Sequence, residues 1–390
     1  MTDFAPLDPL SRAKDLLARL VAFPTVSDRS NLELIGFVAD YLRTLGVEPR
    51  IAPNANGDKA ALFATFGPEV DGGIVLSGHT DVVPVEGQPW TSDPFALREA
   101  DGRLYGRGAC DMKGFDACAL AMAPEFLKAK LSKPIHLVLS YDEETTCLGS
   151  LDFIRRFGVD LPRPACVIVG EPTLGGVADT HKGVATFRTL VRGVEAHSAQ
   201  PSLGANAISA AAEIVAEIDR LAREEEARPG PDPRFNPPYA TWHVGSIHGG
   251  TARNILAREC VVGWEFRGLP HMAASDALAR LQRFIDGVAL PRLRRHTEAP
   301  TIETTMDVDV PGLAAEPGSL ASTLALRLAR ANATVAVSFA TESGHFQRAG
   351  LPTVVCGPGS IEQAHKPDEF VAVAELARAL NFLADLAREL

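Results

Sequence analysis

The first half of the chain alternates short apolar runs with amphipathic stretches. The apolar runs, rich in Val, Ile, Leu and Phe, are ALFATFG, GIVLSGHTDVV, IHLVLSYDEE and ACVIVGEP. Between them, NLELIGFVADYLRTLG, FDACALAMAPEFLKA and GSLDFIRRFG repeat their apolar residues with the period of a helix. Strands that alternate with helices predict an α/β sheet covered by helices on both faces, a three-layer domain.

The pattern changes near residue 179. KGVATFRTLVRG, TWHVGSIHGG and ECVVGWEFRGL read as strands, and GANAISAAAEIVAEIDRLAREEE and ASDALARLQRFIDGVA read as helices, in the order β-α-β-β-α. Later stretches, including SLASTLALRLARA and PTVVCGPG, return to the alternation of helical stretches and short apolar runs seen in the first half. We therefore predict a large α/β domain formed by residues 1–178 and 293–390, with a smaller α+β domain, residues 179–292, inserted into it.

Composition and charge narrow the class of protein. The 390 residues are 46% hydrophobic and 22% charged, which suits a globular chain of two domains. A net charge of −11 without any Lys/Arg tract argues against a nucleic-acid partner. The N-terminal stretch MTDFAPLDPLSRAKDLLARL reads as an amphipathic helix rather than a signal peptide, and no apolar stretch approaches the roughly 20 residues of a membrane span. Six scattered cysteines without C-x-x-C spacing indicate reduced thiols, so we expect a cytoplasmic protein.

Polar residues that could bind a metal or take part in catalysis follow three of the four predicted strands. His79 and Asp81 end the first of these strands, Glu143 and Glu144 the second, and Glu171 the third. Residues i and i+2 of an extended chain point the same way, so His79 and Asp81 aim at one spot. Ligands of open α/β sheets bind beyond the carboxyl ends of the strands, where these side chains would meet.

Each further candidate also has an ordinary structural interpretation. Asp111, between glycines in GRGACDMKG, could be a helix-start or turn residue; Glu143 and Glu144 could be a solvated pair; His365 in EQAHKPDE could be a surface residue. Taken together, however, two histidines, one aspartate and two glutamates suit a pair of divalent ions, most readily Zn²⁺. The remaining carboxylate, Glu143, would then be available as a base.

Five motifs carry a resemblance to a known family. SGHTDVVP, GRGACDMKG, DEETTCLGS, GEPT and HSAQP resemble, in order and spacing, the two-zinc aminoacylases and carboxypeptidases of the M20 type. That family includes acetylornithine deacetylases and succinyl-diaminopimelate desuccinylases. The resemblance covers essentially the whole chain, and TESGHFQRAGLPTVVCGPGSIEQAHKPDEFV is similar to the acetylornithine deacetylase branch.

The resemblance implies a set of metal ligands. His79 and Glu171 would bind one Zn²⁺, Glu144 and His365 the other, and Asp111 would bridge the two ions of each subunit. Co²⁺ is expected as a possible substitute.

It also implies catalytic roles. Asp81 would orient His79, and Glu143 would take a proton from the attacking water and pass it to the leaving amine. His197, in the inserted dimerisation domain, would reach the active site of a neighbouring subunit and stabilise the oxyanion.

Substrate contacts follow from the same resemblance. Asn254 and Arg267 would contact the substrate, and Arg267 suits a bidentate grip on an α-carboxylate. Glu342 would recognise the side-chain amine of ornithine; the alternative is an ordinary helix-start or surface glutamate. The chain departs from the family pattern at Ala257, where a proline is common, and at Glu265, where an aspartate is common.

The expected protein is a homodimeric enzyme with a small-molecule N-acyl amino acid as its substrate. It would hydrolyse N²-acetyl-L-ornithine to ornithine and acetate, a step of arginine biosynthesis. The alternatives are a related amidase for succinyl-diaminopimelate or another N-acyl amino acid or dipeptide, and a non-catalytic dimeric scaffold.

Overall fold

The computed structural model describes residues 8–390. The start of the predicted N-terminal helix lies outside this range, and the first described helix begins at Pro9. The helices are α1 (Pro9–Val21), α2 (Leu32–Thr44), α3 (Lys113–Lys128), α4 (Leu151–Ile154), α5 (Ala207–Glu226), α6 (Ala274–Phe284), α7 (Leu290–Leu293), α8 (Leu320–Ala329), α9 (Ser343–Arg348) and α10 (Val373–Glu389). The strands are β1 (Arg50–Pro53), β2 (Ala60–Phe66), β3 (Ile74–His79), β4 (Arg98–Ala100), β5 (Arg103–Tyr105), β6 (Ile135–Ser140), β7 (Cys166–Pro172), β8 (Ala178–His181), β9 (Val184–Arg192), β10 (Thr241–Gly249), β11 (Glu259–Arg267), β12 (Thr301–Val310), β13 (Val335–Val337), β14 (Thr353–Gly357) and β15 (Phe370–Ala372).

An eight-stranded mixed sheet forms the centre of the larger unit. Its strand order is β1-β2-β6-β3-β7-β14-β8-β13, and the four central strands, β6, β3, β7 and β14, run parallel. Every residue of these four strands is buried, because both faces of the sheet are covered. Parallel strands end at the same edge, so the polar residues that follow them are brought together there.

Helices pack on both faces of this sheet. Leu62, Leu76 and the same-facing residues of neighbouring strands join one core with α1, α2, α3, α8 and α10. On the opposite face, Phe63 packs against Phe153 of α4 at 5.5 Å between ring centroids. The α/β class with helices on both faces, predicted from the sequence, is confirmed.

The smaller unit is built on an antiparallel sheet in the order β10-β11-β9-β12. Buried and more exposed residues alternate along β9 and β11, as expected where one face packs on helices. On the buried face, the indole of Trp264 stacks on Phe187 at 4.0 Å and donates its N–H to Thr189 Oγ1 at 3.0 Å. This α+β unit confirms the predicted second architecture.

The division between the units differs from the sequence-based boundaries at the end of the inserted domain and in one further short segment. One unit comprises the chain up to Thr180 with Ala315–Val335 and Thr341–Leu390; the other comprises His181–Ala314 and Ala336–Ala340. The sequence pattern places the end of the inserted domain at residue 292, whereas the structure places it at 314. The reason is β12, a strand that the sequence analysis did not identify, which pairs with β9 along its length.

Two further expectations concern the chain as a whole. Among the described residues, no helix combines the length and apolar character needed to cross a bilayer. All six cysteines are free and buried.

Candidate metal centre

His79 ends β3, and both of its ring nitrogens face polar atoms. Its Nδ1–H donates to the carbonyl oxygen of Asp81 at 3.0 Å, and Nδ1 lies 3.5 Å from Asp81 Oδ1. Because a carbonyl oxygen only accepts, this contact leaves the lone pair of Nε2 free to bind a cation. Nε2 faces three carboxylates, at 3.2 Å from Asp111 Oδ1, 3.5 Å from Glu171 Oε1 and 4.0 Å from Glu143 Oε2.

The Asp81 carboxylate holds the turn that carries Glu143 and Glu144. Its Oδ1 accepts the backbone N–H of Glu143 at 3.1 Å, and its Oδ2 accepts that of Glu144 at 3.2 Å and the hydroxyl of Ser27 at 2.6 Å. Asp81 therefore connects the end of β3 to the turn that follows β6. The geometry gives it a supporting position beside His79.

Asp111 lies between the two histidines. Its Oδ1 is 3.2 Å from His79 Nε2, and its Oδ2 is 3.2 Å from His365 Nε2. Glu144 Oε2 lies 3.0 Å from the same nitrogen of His365. One carboxylate thus contacts both imidazoles, an arrangement suited to bridging two cations.

Glu171 supplies a test of whether a metal fits. Its side chain is buried, and its Oε1 has no hydrogen-bond partner among the described residues. A buried carboxylate oxygen without a donor is costly unless a cation compensates it. The imidazole and carboxylate donors around it are those that zinc accepts, so the residues present fit a divalent metal.

Two three-residue groups have ligand atoms within 4.8 Å of one another: His79 with Glu143 and Glu171, and His79 with Asp111 and Glu144. These distances do not separate Glu143 from Glu144, since each belongs to one group. Glu143 differs in its neighbour, because its Oε1 lies 3.2 Å from the thiol of Cys147. The assignment of Glu143 as base and Glu144 as ligand remains a prediction from the family resemblance.

The crowding of carboxylates shifts their proton affinities. Burial, reinforced by neighbouring negative charges, raises the pKa of Glu143 to about 8 and that of Glu144 to about 7, and it raises the pKa of Glu171 strongly. Hydrogen bonds to Asp111 and Glu144 raise the pKa of His365 to about 10. The cluster therefore attracts positive charge, as a site for cations must.

Two glycines let α3 cross the strands that carry these side chains. A Cβ on Gly78 would lie 2.1 Å from Asp116 Oδ1, and a Cβ on Gly170 would lie 2.1 Å from the ring of Phe115. Gly78 and Gly170 directly precede His79 and Glu171, and α3 begins shortly after Asp111. Close contact between α3 and the strands thus sets where three of the candidate ligands lie.

Three predicted site residues lie in the smaller unit. His197 and Asn254 are both exposed and lie close together. His197 forms an isolated β-bridge with Ile255, and the N–H of Ser198 donates to the Asn254 carbonyl at 3.0 Å. Arg267, at the end of β11, donates from Nε to Glu265 Oε1 at 2.8 Å. Their catalytic and substrate-binding roles remain predictions.

Glu342 lies in the larger unit, with only 1% of its surface exposed. Its Oε1 accepts the hydroxyl of Ser77 at 2.5 Å and its Oε2 that of Ser140 at 2.8 Å. Because Ser77 is in β3 and Ser140 in β6, the carboxylate joins two central strands. Both oxygens are already engaged, which bears on its predicted contact with a substrate amine.

Sequence reasoning missed the buried ion pair of Arg107 and Glu369, whose Nη1 and Oε2 lie 2.7 Å apart. Both side chains are 1% exposed. Arg107 stands in the GRGACD motif and Glu369 four residues after His365. That adjacency to two candidate ligands was the available signal, but charged residues in loops are usually solvated.

Residues 75–389 match the family described as Peptidase family M20/M25/M40. The chain belongs to this family. This match confirms the resemblance that the motifs indicated. Members of the family are metal-dependent hydrolases, and the cluster around His79 is the candidate for the family's dinuclear metal site.

Two relatives with a named activity match nearly the whole chain. The chain is 35% identical over 365 residues to an acetylornithine deacetylase of Pasteurella multocida, covering 92% of each protein. It is 34% identical over 382 residues to an acetylornithine deacetylase of Edwardsiella ictaluri, covering 95% of this chain and 96% of that one. An M20 family metallo-carboxypeptidase from Sulfolobus solfataricus shares the fold, with a TM-score of 0.77, 17% identity, and coverage of 98% of this chain and 99% of that one.

Proposed function

We propose that the protein is a two-zinc amidohydrolase that removes the acetyl group of N²-acetyl-L-ornithine. The observation that carries the proposal is the Asp111 carboxylate, with one oxygen 3.2 Å from His79 Nε2 and the other 3.2 Å from His365 Nε2. The choice of substrate is supported by the acetylornithine deacetylases that are 34–35% identical over nearly the whole chain. The product, ornithine, would serve arginine biosynthesis.

His79 and Glu171 would hold one zinc ion, Glu144 and His365 the other, and Asp111 both. Bound zinc would polarise the amide carbonyl and increase the acidity of the attacking water. The side chains of the protein would then transfer protons and orient the substrate at the metal site.

Glu143 would accept the proton of the attacking water at its carboxylate. Its Oε2 lies 4.0 Å from His79 Nε2, beside the candidate ligands. The same carboxyl would then protonate the leaving amine, as a single base can when it lies within reach of both atoms. Asp81 holds the backbone N–H of Glu143 and so limits its movement.

His197 would donate a hydrogen bond to the oxyanion from a neighbouring subunit of a homodimer. Asn254 and Arg267, from the same smaller unit, would contact the substrate, with Arg267 gripping its α-carboxylate. In that case the substrate would compete with Glu265, which accepts from the Arg267 guanidinium at 2.8 Å.

The experiment is metal analysis with a substrate panel. We expect purified protein to hold up to two zinc ions per subunit and to lose activity when a chelator removes them. The highest kcat/KM is expected for N²-acetyl-ornithine, compared with N-succinyl-diaminopimelate and N-acetyl-methionine. Full turnover by metal-free protein would contradict the mechanism, and a higher kcat/KM on another substrate would contradict the specificity.

A further inference from the structure

A single buried carboxylate organises the loop that carries Asp111. Glu369 Oε1 accepts the backbone N–H of Cys110 at 2.8 Å and that of Asp111 at 3.0 Å. Its Oε2 accepts the N–H of Gly108 at 3.0 Å and Arg107 Nη1 at 2.7 Å. Four N–H groups thus converge on one side chain, and three of them belong to the backbone of the loop.

The backbone around Glu369 places it for this role. The carbonyl of Glu369 accepts the N–H of Gly106 at 2.9 Å, and the next residue, Phe370, pairs with Tyr105 where β15 meets β5. The side chain therefore reaches into the loop between β5 and α3 from a neighbouring strand. Hydrogen bonds from backbone N–H groups to a carboxylate are charge-assisted and directional, so they restrain the loop strongly.

The same carboxylate is connected to His365 through two side chains. Arg107 Nη2 donates to Gln88 Oε1 at 2.6 Å, and Gln88 Nε2 donates to the carbonyl of His365 at 3.0 Å. His365 has a φ of 62°, a left-handed conformation that non-glycine residues adopt at an energetic cost. The bond from Gln88 helps to hold the loop in that conformation.

We propose that Glu369, with Arg107 and Gln88, is a positioning group that fixes Asp111 and His365 relative to each other. It rests on the proposed function only in taking these two residues as ligands of the metal pair. Without the network, Asp111 Oδ1 could still contact His79, but Asp111 Oδ2 and His365 Nε2 would no longer be held 3.2 Å apart. The group therefore sets the affinity for the second ion.

The test measures zinc binding directly, without substrate. Glu369→Gln keeps the size of the side chain but replaces one acceptor with a donor that faces N–H groups. We expect the affinity for the more weakly bound zinc ion, measured by competition with a chromophoric chelator, to fall by about 10- to 100-fold, as for other partners of metal ligands. At limiting zinc kcat should fall with KM unchanged, and excess zinc should restore it.

Two further variants make the test decisive. Gln88→Ala removes the connection to His365 from a half-buried position, so it should fold even if Glu369→Gln does not, and it should weaken the same ion. Combined with Glu369→Gln it should add little, since both act through one network. Glu362→Gln, an equal charge change at an exposed residue near His365, is the control and should leave zinc affinity unchanged.

Wild-type zinc affinity in both Glu369→Gln and Gln88→Ala would overturn the proposal, as would an equal loss in the Glu362→Gln control. A fall in thermal stability with no change in zinc affinity would also overturn it, because a merely structural role predicts that result. If the wild-type protein binds zinc but does not hydrolyse N²-acetyl-ornithine, the proposed function fails while this inference is still tested.

Discussion

At the scale of single residues, the two adjacent glutamates have different proposed roles: Glu143 is the general base and Glu144 is a metal ligand. Glu143 and Glu144 are both nearly buried, and Asp81 binds the backbone N–H of each. They diverge at their carboxylates. Glu144 lies 3.0 Å from His365 Nε2, a ligand-like contact, whereas Glu143 is 4.0 Å from His79 Nε2.

Substituting each glutamate by glutamine separates the two roles. We expect Glu143→Gln to bind zinc normally while kcat falls by about 10²- to 10⁴-fold, because a proton acceptor is lost and no ligand is. Glu144→Gln should instead lose zinc. Metal content and kcat, measured on both variants, check the assignment, and equal zinc loss in the two would show that it is wrong.

Glu342 is a residue for which the structure suggests a different experimental outcome. Because both its oxygens accept serine hydroxyls inside the fold, we expect Glu342→Gln to lower kcat/KM for N²-acetyl-ornithine and for N-acetyl-methionine by the same factor. Steady-state kinetics on the two substrates measure this. A loss of roughly 10- to 100-fold confined to acetyl-ornithine, equivalent to one charge-assisted contact, would instead support the sequence-based role in recognising the amine.

At the scale of elements, the contact between α3 and β7 is the feature that the site depends on. The ring of Phe115 occupies the space where a Cβ on Gly170 would lie, at 2.1 Å. Any side chain at residue 170 must therefore push α3 away from the strand. Glu171 directly follows Gly170, and Asp111 lies close before α3, so both candidate ligands would move.

Gly170→Ala should accordingly lower the free energy of unfolding by about 1–3 kcal/mol, the usual cost of overpacking a core. It should also weaken zinc binding. Gly36→Ala is the matched control, because Gly36 is in α2 with nothing within 4 Å of an added Cβ. That change should stabilise by about 0.5–1 kcal/mol and leave zinc affinity unaltered. Denaturant unfolding and zinc titration test both, and normal zinc affinity in Gly170→Ala would refute the dependence.

At the scale of the whole molecule, the residues named in the proposed mechanism belong to both units of the chain. The candidate ligands lie in the larger unit, and His197 lies in the smaller one. The family resemblance predicts that His197 acts on a neighbouring subunit of a homodimer. Complementation between inactive variants examines this directly.

Neither His197→Ala nor Glu143→Ala should be active alone. If His197 acts across a dimer, a mixed dimer of the two variants regains one complete site, with Glu143 from one subunit and His197 from the other. We expect activity to return after the variants are denatured together and refolded. Continued inactivity in mixed dimers verified by affinity tags would count against action between subunits.

The sequence by itself determined the local elements and most of the candidate site. Apolar periodicity predicted the central strands and the helices around them, because burial of one face or two leaves a repeating pattern in neighbouring residues. His79, Asp111, Glu144 and Glu171 could be identified because they follow strands or precede a helix at one edge of a parallel sheet. Recognising the family then favoured His365 as a ligand over an ordinary surface residue, because its loop carries no such local signal.

Only the tertiary structure decided which distant residues support that site. The hydrogen bond from Asp111 to Glu369 spans 258 residues, and that from Ser77 to Glu342 spans 265. No periodicity connects such partners, because their contact depends on how whole strands and loops are arranged. For the same reason β12 was missed: most of its residues are not buried, so its place in the smaller sheet is set by pairing with β9 and leaves little apolar pattern in the chain.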